Sequence, residues 1–295
     1  MSEYNWLITG ANAGQGLEIA RAALQAGHKV IGTARNVDRA RRESPDVEKL
    51  GGSWIQLDVT QSDAEIVVSQ AVQAHSITVL VNNAGFGLRG VLEDLSMAQI
   101  RAQMETNFFG ALAVTKGAIP TFRKKRGGNI VMISSASGLT GTPSQSIYSA
   151  SKFALEGMAE SIADELKPFG IRVLVVELGA FRTNFQAAVD KPECIMSEPY
   201  KGTIADLTAQ RITRGHGRQA GDPVKAAQAL VEVITGQDRG KELSDIFRLP
   251  LGKDAVQRAY HKIEVITNET KRCQELAEWA CFEDVPYDGY PPLDM

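Results

Sequence analysis

The chain has 295 residues, 43% of them hydrophobic, enough to bury a large core in one α/β domain or two smaller ones. Lys+Arg number 32 against Asp+Glu 35, a net charge of -3 with no basic tail, so nothing in the balance points to nucleic acid. No stretch approaches 18 uninterrupted apolar residues and the N-terminus lacks a charged n-region, so a chain with no membrane segment, in the cytoplasm, is expected. Cys194, Cys273 and Cys281 show no CxxC spacing and read as free thiols of a reducing compartment. His28, His75, His216 and His261 are dispersed, and no metal site is indicated.

In chain order, Asn5 to Thr9 reads as a buried strand. Gly10, Asn12, Gly14, Gln15 and Gly16 follow in a short turn, and an amphipathic run from Leu17 to Leu24 ends at Gly27. Glycines allow close backbone approach, and free N–H groups at a helix start attract phosphate. Strand, glycine turn and helix in that order are what dinucleotide binding demands. A second strand, Lys29 to Ala34, ends at Arg35, with no carboxylate to take a ribose 2′-OH. Arg35 either opens a basic helix with Arg39, Arg41 and Arg42 or receives the 2′-phosphate of NADP, and NADP(H) is the preferred reading over NAD(H).

Ser53 to Leu57 is a third strand running into Asp58 and Val59, with a helix at 64–74 behind it. A fourth, Ile77 to Val81, is closed by Asn82, Asn83, Ala84 and Gly85. One long helix is expected from Ser96 to about Phe122. It carries Asn107, which in a helix interior is either surface filler or present for its hydrogen bonds. After the strand Asn129 to Ile133 come Ser134, Ser135 and a helix in which Tyr148 and Lys152 lie four apart, on one face. An ammonium beside a phenol would lower its pKa from ~10 by roughly 1–3 units and make Tyr148 a general acid/base. A Tyr and a Lys at this spacing also occur by chance, so the rest of the chain has to decide.

The strand Ile171 to Val176 is followed by an irregular segment, 184–221, expected to form a substrate lid or else a solvent-exposed linker. Asp222 and Pro223 open a further helix, a short strand lies near 246–249, residues from about 254 to 282 look helical, and 286–295 look like a loose tail. Strands apolar on both faces alternating with helices argue for a doubly wound parallel sheet, a Rossmann fold.

With the glycine turn, the Asn-Asn-Ala-Gly turn, Ser135 and the Tyr-x-x-x-Lys pair in one order, residues 4–250 resemble the short-chain dehydrogenase/reductase family. The resemblance implies one Rossmann domain over 1–250, with 184–221 as lid and 251–295 as a C-terminal helical extension. Asn107, Ser135, Tyr148 and Lys152 match the family's catalytic tetrad. Gly10, Asn12, Gly14, Gln15, Gly16, Asp58, Val59, Asn83, Ala84, Gly85, Gly179, Phe181 and Thr183, with Arg35, Tyr148 and Lys152, fall at its cofactor positions. The implied reaction is hydride transfer between NADPH and a ketone or secondary alcohol. Tyr148 would protonate the carbonyl, Lys152 bind the nicotinamide ribose, Ser135 hold the substrate oxygen and Asn107 hold a relay water. A proline usual after the sixth strand is missing here, where Leu178, Gly179 and Ala180 stand. The extension looks like that of longer members acting on bulky ketones, and Phe86, Leu88, Leu139, Phe181, Phe185 and Met196 are candidate pocket walls. Other readings on the same scaffold are an epimerase, dehydratase or cyclase, or a silent NADP-binding regulator. Family members often pair through the helices bearing Asn107 and Tyr148, so a homo-oligomer is implied unless the extension covers those surfaces.

Overall fold

The structure, a computed structural model, describes residues 3–185 and 196–282. The first half of the chain alternates β1 (Asn5–Ile8), α1 (Gly14–Gln25), β2 (Lys29–Ala34), the short α2 (Val37–Glu43) and α3 (Asp46–Lys49), β3 (Ser53–Gln56), α4 (Ala64–Ala74) and β4 (Val79–Asn82). It continues through α5 (Met97–Met104), α6 (Gly110–Lys125), β5 (Gly128–Ser135), α7 (Ala136–Leu139), α8 (Ser146–Leu166) and β6 (Ile171–Leu178). Helices α9 (Ile204–Arg214) and α10 (Pro223–Thr235), strand β7 (Arg248–Leu251) and helix α11 (Lys253–Trp279) complete the order.

All seven strands are parallel, in the order β3-β2-β1-β4-β5-β6-β7. The strand order reverses between β1 and β4, and ligands of such sheets bind beyond the carboxyl ends at that point. Alternate residues serve opposite cores, as their period of two requires. Trp6, Ile8, Val79, Val81, Val131 and Ile133 pack under α1 and α10, while Leu7, Leu80, Ile130 and Met132 pack under α4, α6 and α8. The continuous apolar strands of the sequence are those of a sheet buried on both faces.

The expected long helix is interrupted. Ser96 caps α5 in a capping box with Gln99, but a π-turn at Glu105–Phe109 separates α5 from α6, and the Gly110 N–H bonds back to the Glu105 carbonyl. Asn107 is buried within that turn. The expected irregular stretch also needs correcting. It contains α9, where Ile204, Leu207, Arg211 and Ile212 recur at helical spacing among polar residues that hid the pattern. Residues 186–195, Cys194 and Ile195 among them, and the expected tail lie outside the described residues. No helix among those described is long and apolar enough to cross a membrane, and no group of His, Cys, Asp and Glu among them could hold a metal ion.

Candidate active site

Thr9, at the end of β1, knits the two central turns together. Its hydroxyl accepts from the Asn83 and Ala84 N–H groups at 2.9 and 3.0 Å, and its carbonyl accepts from Asn83 Nδ2 at 2.9 Å. The Gly10 carbonyl accepts from the same Nδ2 at 3.1 Å. A Cβ on Gly16 would stand 2.3 Å from Asn83 Nδ2, so only glycine lets α1 start against this clasp. Gly14 adopts φ +57, and a Cβ added there would meet nothing closer than Thr183 at 3.9 Å, so it faces open space. The first turn of α1 thus opens on a cleft of 1640 Å³, larger than the ~300–1,000 Å³ of a single small-ligand site.

Gly10, Asn12, Gly14, Gln15, Arg35, Asp58, Val59, Asn83, Ala84, Gly85, Gly179, Phe181 and Thr183 all line this cleft, together with Ser135, Tyr148 and Lys152. Gly16 and Asn107 stand behind it. Gln15 Nε2 donates to the Pro223 carbonyl at 3.1 Å, tying the turn to α10. Asp58 accepts from the Thr60 N–H and hydroxyl at 3.1 and 2.8 Å. Arg35 is exposed at the end of β2 and, among the described residues, has neither carboxylate nor hydrogen-bond partner, whereas Arg39 and Arg41 are paired with Glu43 and Glu48. A dinucleotide with an extra phosphate fits this donor set.

At the inner end Ser135 caps α7, its Oγ accepting from the Ser137 N–H at 3.1 Å, and the same hydroxyl stands close enough to the Tyr148 phenol to pull its pKa down. Lys152 Nζ donates to the Ile133 carbonyl at 2.7 Å and lies 5.9 Å from the Tyr148 ring centre. The expected lowering of the phenol does not occur. Burial pushes Tyr148 up to about 12 against the pull of the Ser135 hydroxyl, and burial brings Lys152 down to about 8 against the pull of Glu156. Desolvation exceeds a cation whose proton is directed at a main-chain carbonyl. The Asn107 side chain clamps Phe86, accepting from its N–H and donating to its carbonyl, both at 3.0 Å, and donates to Ser151 Oγ at 3.0 Å. Its amide is therefore taken up by protein, and a relay water would have to be held by its main chain.

Sequence reasoning missed the charges beneath this pair. Glu156, one turn after Lys152 and buried, accepts from Ser134 Oγ at 2.5 Å and from Arg248 Nη1 at 2.6 Å. Arg248 also donates to the buried Glu177 at 2.7 Å and to Glu160 at 3.0 Å. It missed Asp254 as well, which accepts from the Ala180 N–H at 2.8 Å and replaces a rigid proline as the brace of the loop after β6. The available signal was the i, i+4 spacing of Lys152 and Glu156 on a helix face that otherwise turns inward.

Of the candidate walls, Phe86, Leu88, Phe181 and Phe185 line the cleft; Leu139 and Met196 do not. The Phe185 ring stands 5.8 Å from that of Tyr148. Helix α9 covers the outer part with Ile204, Thr208, Arg211 and Ile212. It is fastened to the loop after β4, where Arg89 Nη1 donates to Thr213 Oγ1 at 2.7 Å, and the chain ahead of it is tied to the same loop by the Ser197 N–H, which donates to Asp94 at 2.8 Å.

The short chain dehydrogenase family model matches residues 5–193, and the chain belongs to that family of oxidoreductases. Oxidoreductase claN of Passalora fulva is 49% identical over 209 residues, 70% of this chain and 95% of that protein. A short-chain dehydrogenase of Streptomyces avermitilis superposes with TM-score 0.81 at 34% identity, covering 95% of this chain and 100% of that one. A variant of actinorhodin polyketide ketoreductase solved with NADPH superposes with TM-score 0.70 at 26% identity, covering 84% and 95%.

The buried lysine makes a pH prediction. Its pKa is lower folded, about 8, than the ordinary 10.5, so the unfolded chain binds the extra proton between those values and stability rises with pH across that window. In denaturant titrations without added nucleotide, the wild type should gain on Lys152→Met from about pH 8 to 10.5 and run parallel to it below; parallel curves throughout would show that Lys152 is not desolvated.

Proposed function

We propose that the protein is an NADPH-dependent reductase that transfers hydride between the nicotinamide and a ketone or secondary alcohol on a bulky, largely apolar substrate. The observation that carries this reading is the grouping of Ser135, Tyr148 and Lys152 at the inner end of a cleft whose far end offers Arg35, without a partner among the described residues. When bound, NADPH supplies the hydride. The turn from Gly10 to Gly16 at the start of α1 would hold its pyrophosphate, Arg35 its 2′-phosphate, Asp58 and Val59 its adenine side, Asn83 to Gly85 the middle, and Gly179, Phe181 and Thr183 the nicotinamide side.

The chain's own residues then handle the proton. Tyr148, which stays protonated at neutral pH because burial raises it to about 12, donates to the substrate oxygen as negative charge develops there. Ser135 donates a second hydrogen bond to that oxygen, and the Lys152 ammonium stabilises the phenolate that remains. Phe86, Leu88, Phe181 and Phe185 give the substrate an apolar wall, and α9, which covers the outer cleft, acts as the lid that keeps water from the reacting centre. Exposed, unpaired Cys273 and Cys281 support a reducing compartment, the cytoplasm.

Tyr148→Phe removes one hydroxyl and should lower NADPH consumption with a responsive ketone by roughly 10²–10⁴-fold while NADPH titrates as before. A folded variant with full activity would remove Tyr148 from the mechanism. Arg35→Ala should weaken NADPH about tenfold or more and leave NADH nearly untouched, since only the former carries the phosphate a guanidinium grips; equal losses for both would make Arg35 a surface residue.

A further inference from the structure

The outer cleft holds a cation that the proposed chemistry does not use. Arg258, on the second turn of α11, is half-buried, and its Nη1 donates to Thr142 Oγ1 at 2.9 Å and Thr140 Oγ1 at 3.4 Å. Thr142 Oγ1 lies 3.1 Å from Ser137 Oγ, and the Ser137 N–H donates to Ser135 Oγ. The guanidinium is therefore fixed a few hydrogen bonds from the hydroxyl assigned to the substrate oxygen.

Both hydroxyls are met by the same nitrogen. Among the described residues no acceptor meets the Nε–Nη2 edge and no carboxylate pairs with Arg258. That edge presents two parallel N–H groups, the geometry that a carboxylate accepts bidentately. The charged groups sharing this part of the cleft do not satisfy it. Asp254, one turn earlier, is engaged with the Ala180 N–H. His261, one turn later on the same face, and Arg211, across on α9, add donors. A held, half-buried guanidinium without a counter-ion carries a desolvation cost that a ligand oxyanion would offset.

We propose that Arg258 is a specificity residue for a carboxylate, so that the preferred substrate is a bulky apolar ketone bearing a carboxylate remote from the reacting carbonyl. This rests on the reductase reading only for where the ketone sits, because the carboxylate subsite can be measured without turnover.

The test is calorimetric titration of the NADPH-saturated protein with para-benzoylbenzoate and with its neutral methyl ester, in about 0.15 M salt to suppress long-range attraction. The acid should bind about 10- to 100-fold more tightly than the ester, the range of a charge-assisted hydrogen-bonded pair. Arg258→Met should abolish that margin, Arg258→Lys should keep part of it because charge remains without the fork, and Arg211→Met should leave it in place. Equal affinity for acid and ester, binding of neither, or a margin that survives Arg258→Met would each overturn the proposal. NADPH consumption separates the two readings. A binding margin without turnover of either compound would count against the reductase and spare the subsite, whereas turnover of both with no margin would do the reverse.

Discussion

The guanidinium of Arg248 ties the paired strands β6 and β7 to helix α8. It stands on β7, the last strand of the sheet, and reaches Glu177 on β6 together with Glu156 and Glu160 on α8. Glu156 in turn accepts from Ser134, the residue before the serine that faces Tyr148. A Cβ on Gly138 would stand 2.0 Å from the Glu156 carboxylate, so the turn after β5 has been left bare for it. Breaking such a pair from one side leaves an uncompensated buried charge, which costs about 3–5 kcal/mol. The Ser135 turn and the Tyr148 helix are thereby held in one geometry by a single charged cluster, one helical turn below Lys152.

That cluster works because of the parallel register. Ser134 pairs with Glu177 and Ser135 with Leu178 across β5 and β6, and Glu177 pairs with Pro250 across β6 and β7, so the three strands present their carboxyl ends at one level. The same edge carries the Thr9–Asn83 clasp at β1 and β4, where the strand order reverses. Hydride chemistry needs a dinucleotide and a carbonyl brought together within a few ångströms, and the 1640 Å³ cleft along this edge, lined in part by α9 and α11, has the volume for both.

The strands and most helices were legible because each is a local pattern: apolar runs of strand length, helical periodicity, and glycine or proline at the boundaries. The site residues were legible where a motif confines them to one strand end or one helix face, as with Tyr148 and Lys152. What escaped is set by distance or by burial. Arg248 and Glu156 are 92 residues apart, and no local pattern marks them as partners. The π-turn that turns Asn107 inward leaves no periodic trace, and α9 has no buried residue, its Ile204 and Leu207 being exposed and set among polar neighbours. The Tyr148 phenol was misjudged because spacing reveals a neighbouring cation but not the loss of water around the hydroxyl.

An Arg248–Glu156 pair that positions the Ser135 and Tyr148 hydroxyls as a unit should be felt in the chemical step. The direct measurement is a double-mutant cycle on single-turnover NADPH oxidation with Glu156→Gln, Arg248→Met and both, each variant first shown to bind NADPH. Each single change should slow the chemical step by about tenfold or more, and the double variant should be scarcely slower than either, with NADPH affinity retained. Additive losses, or an unchanged rate in a folded Glu156→Gln protein, would contradict it.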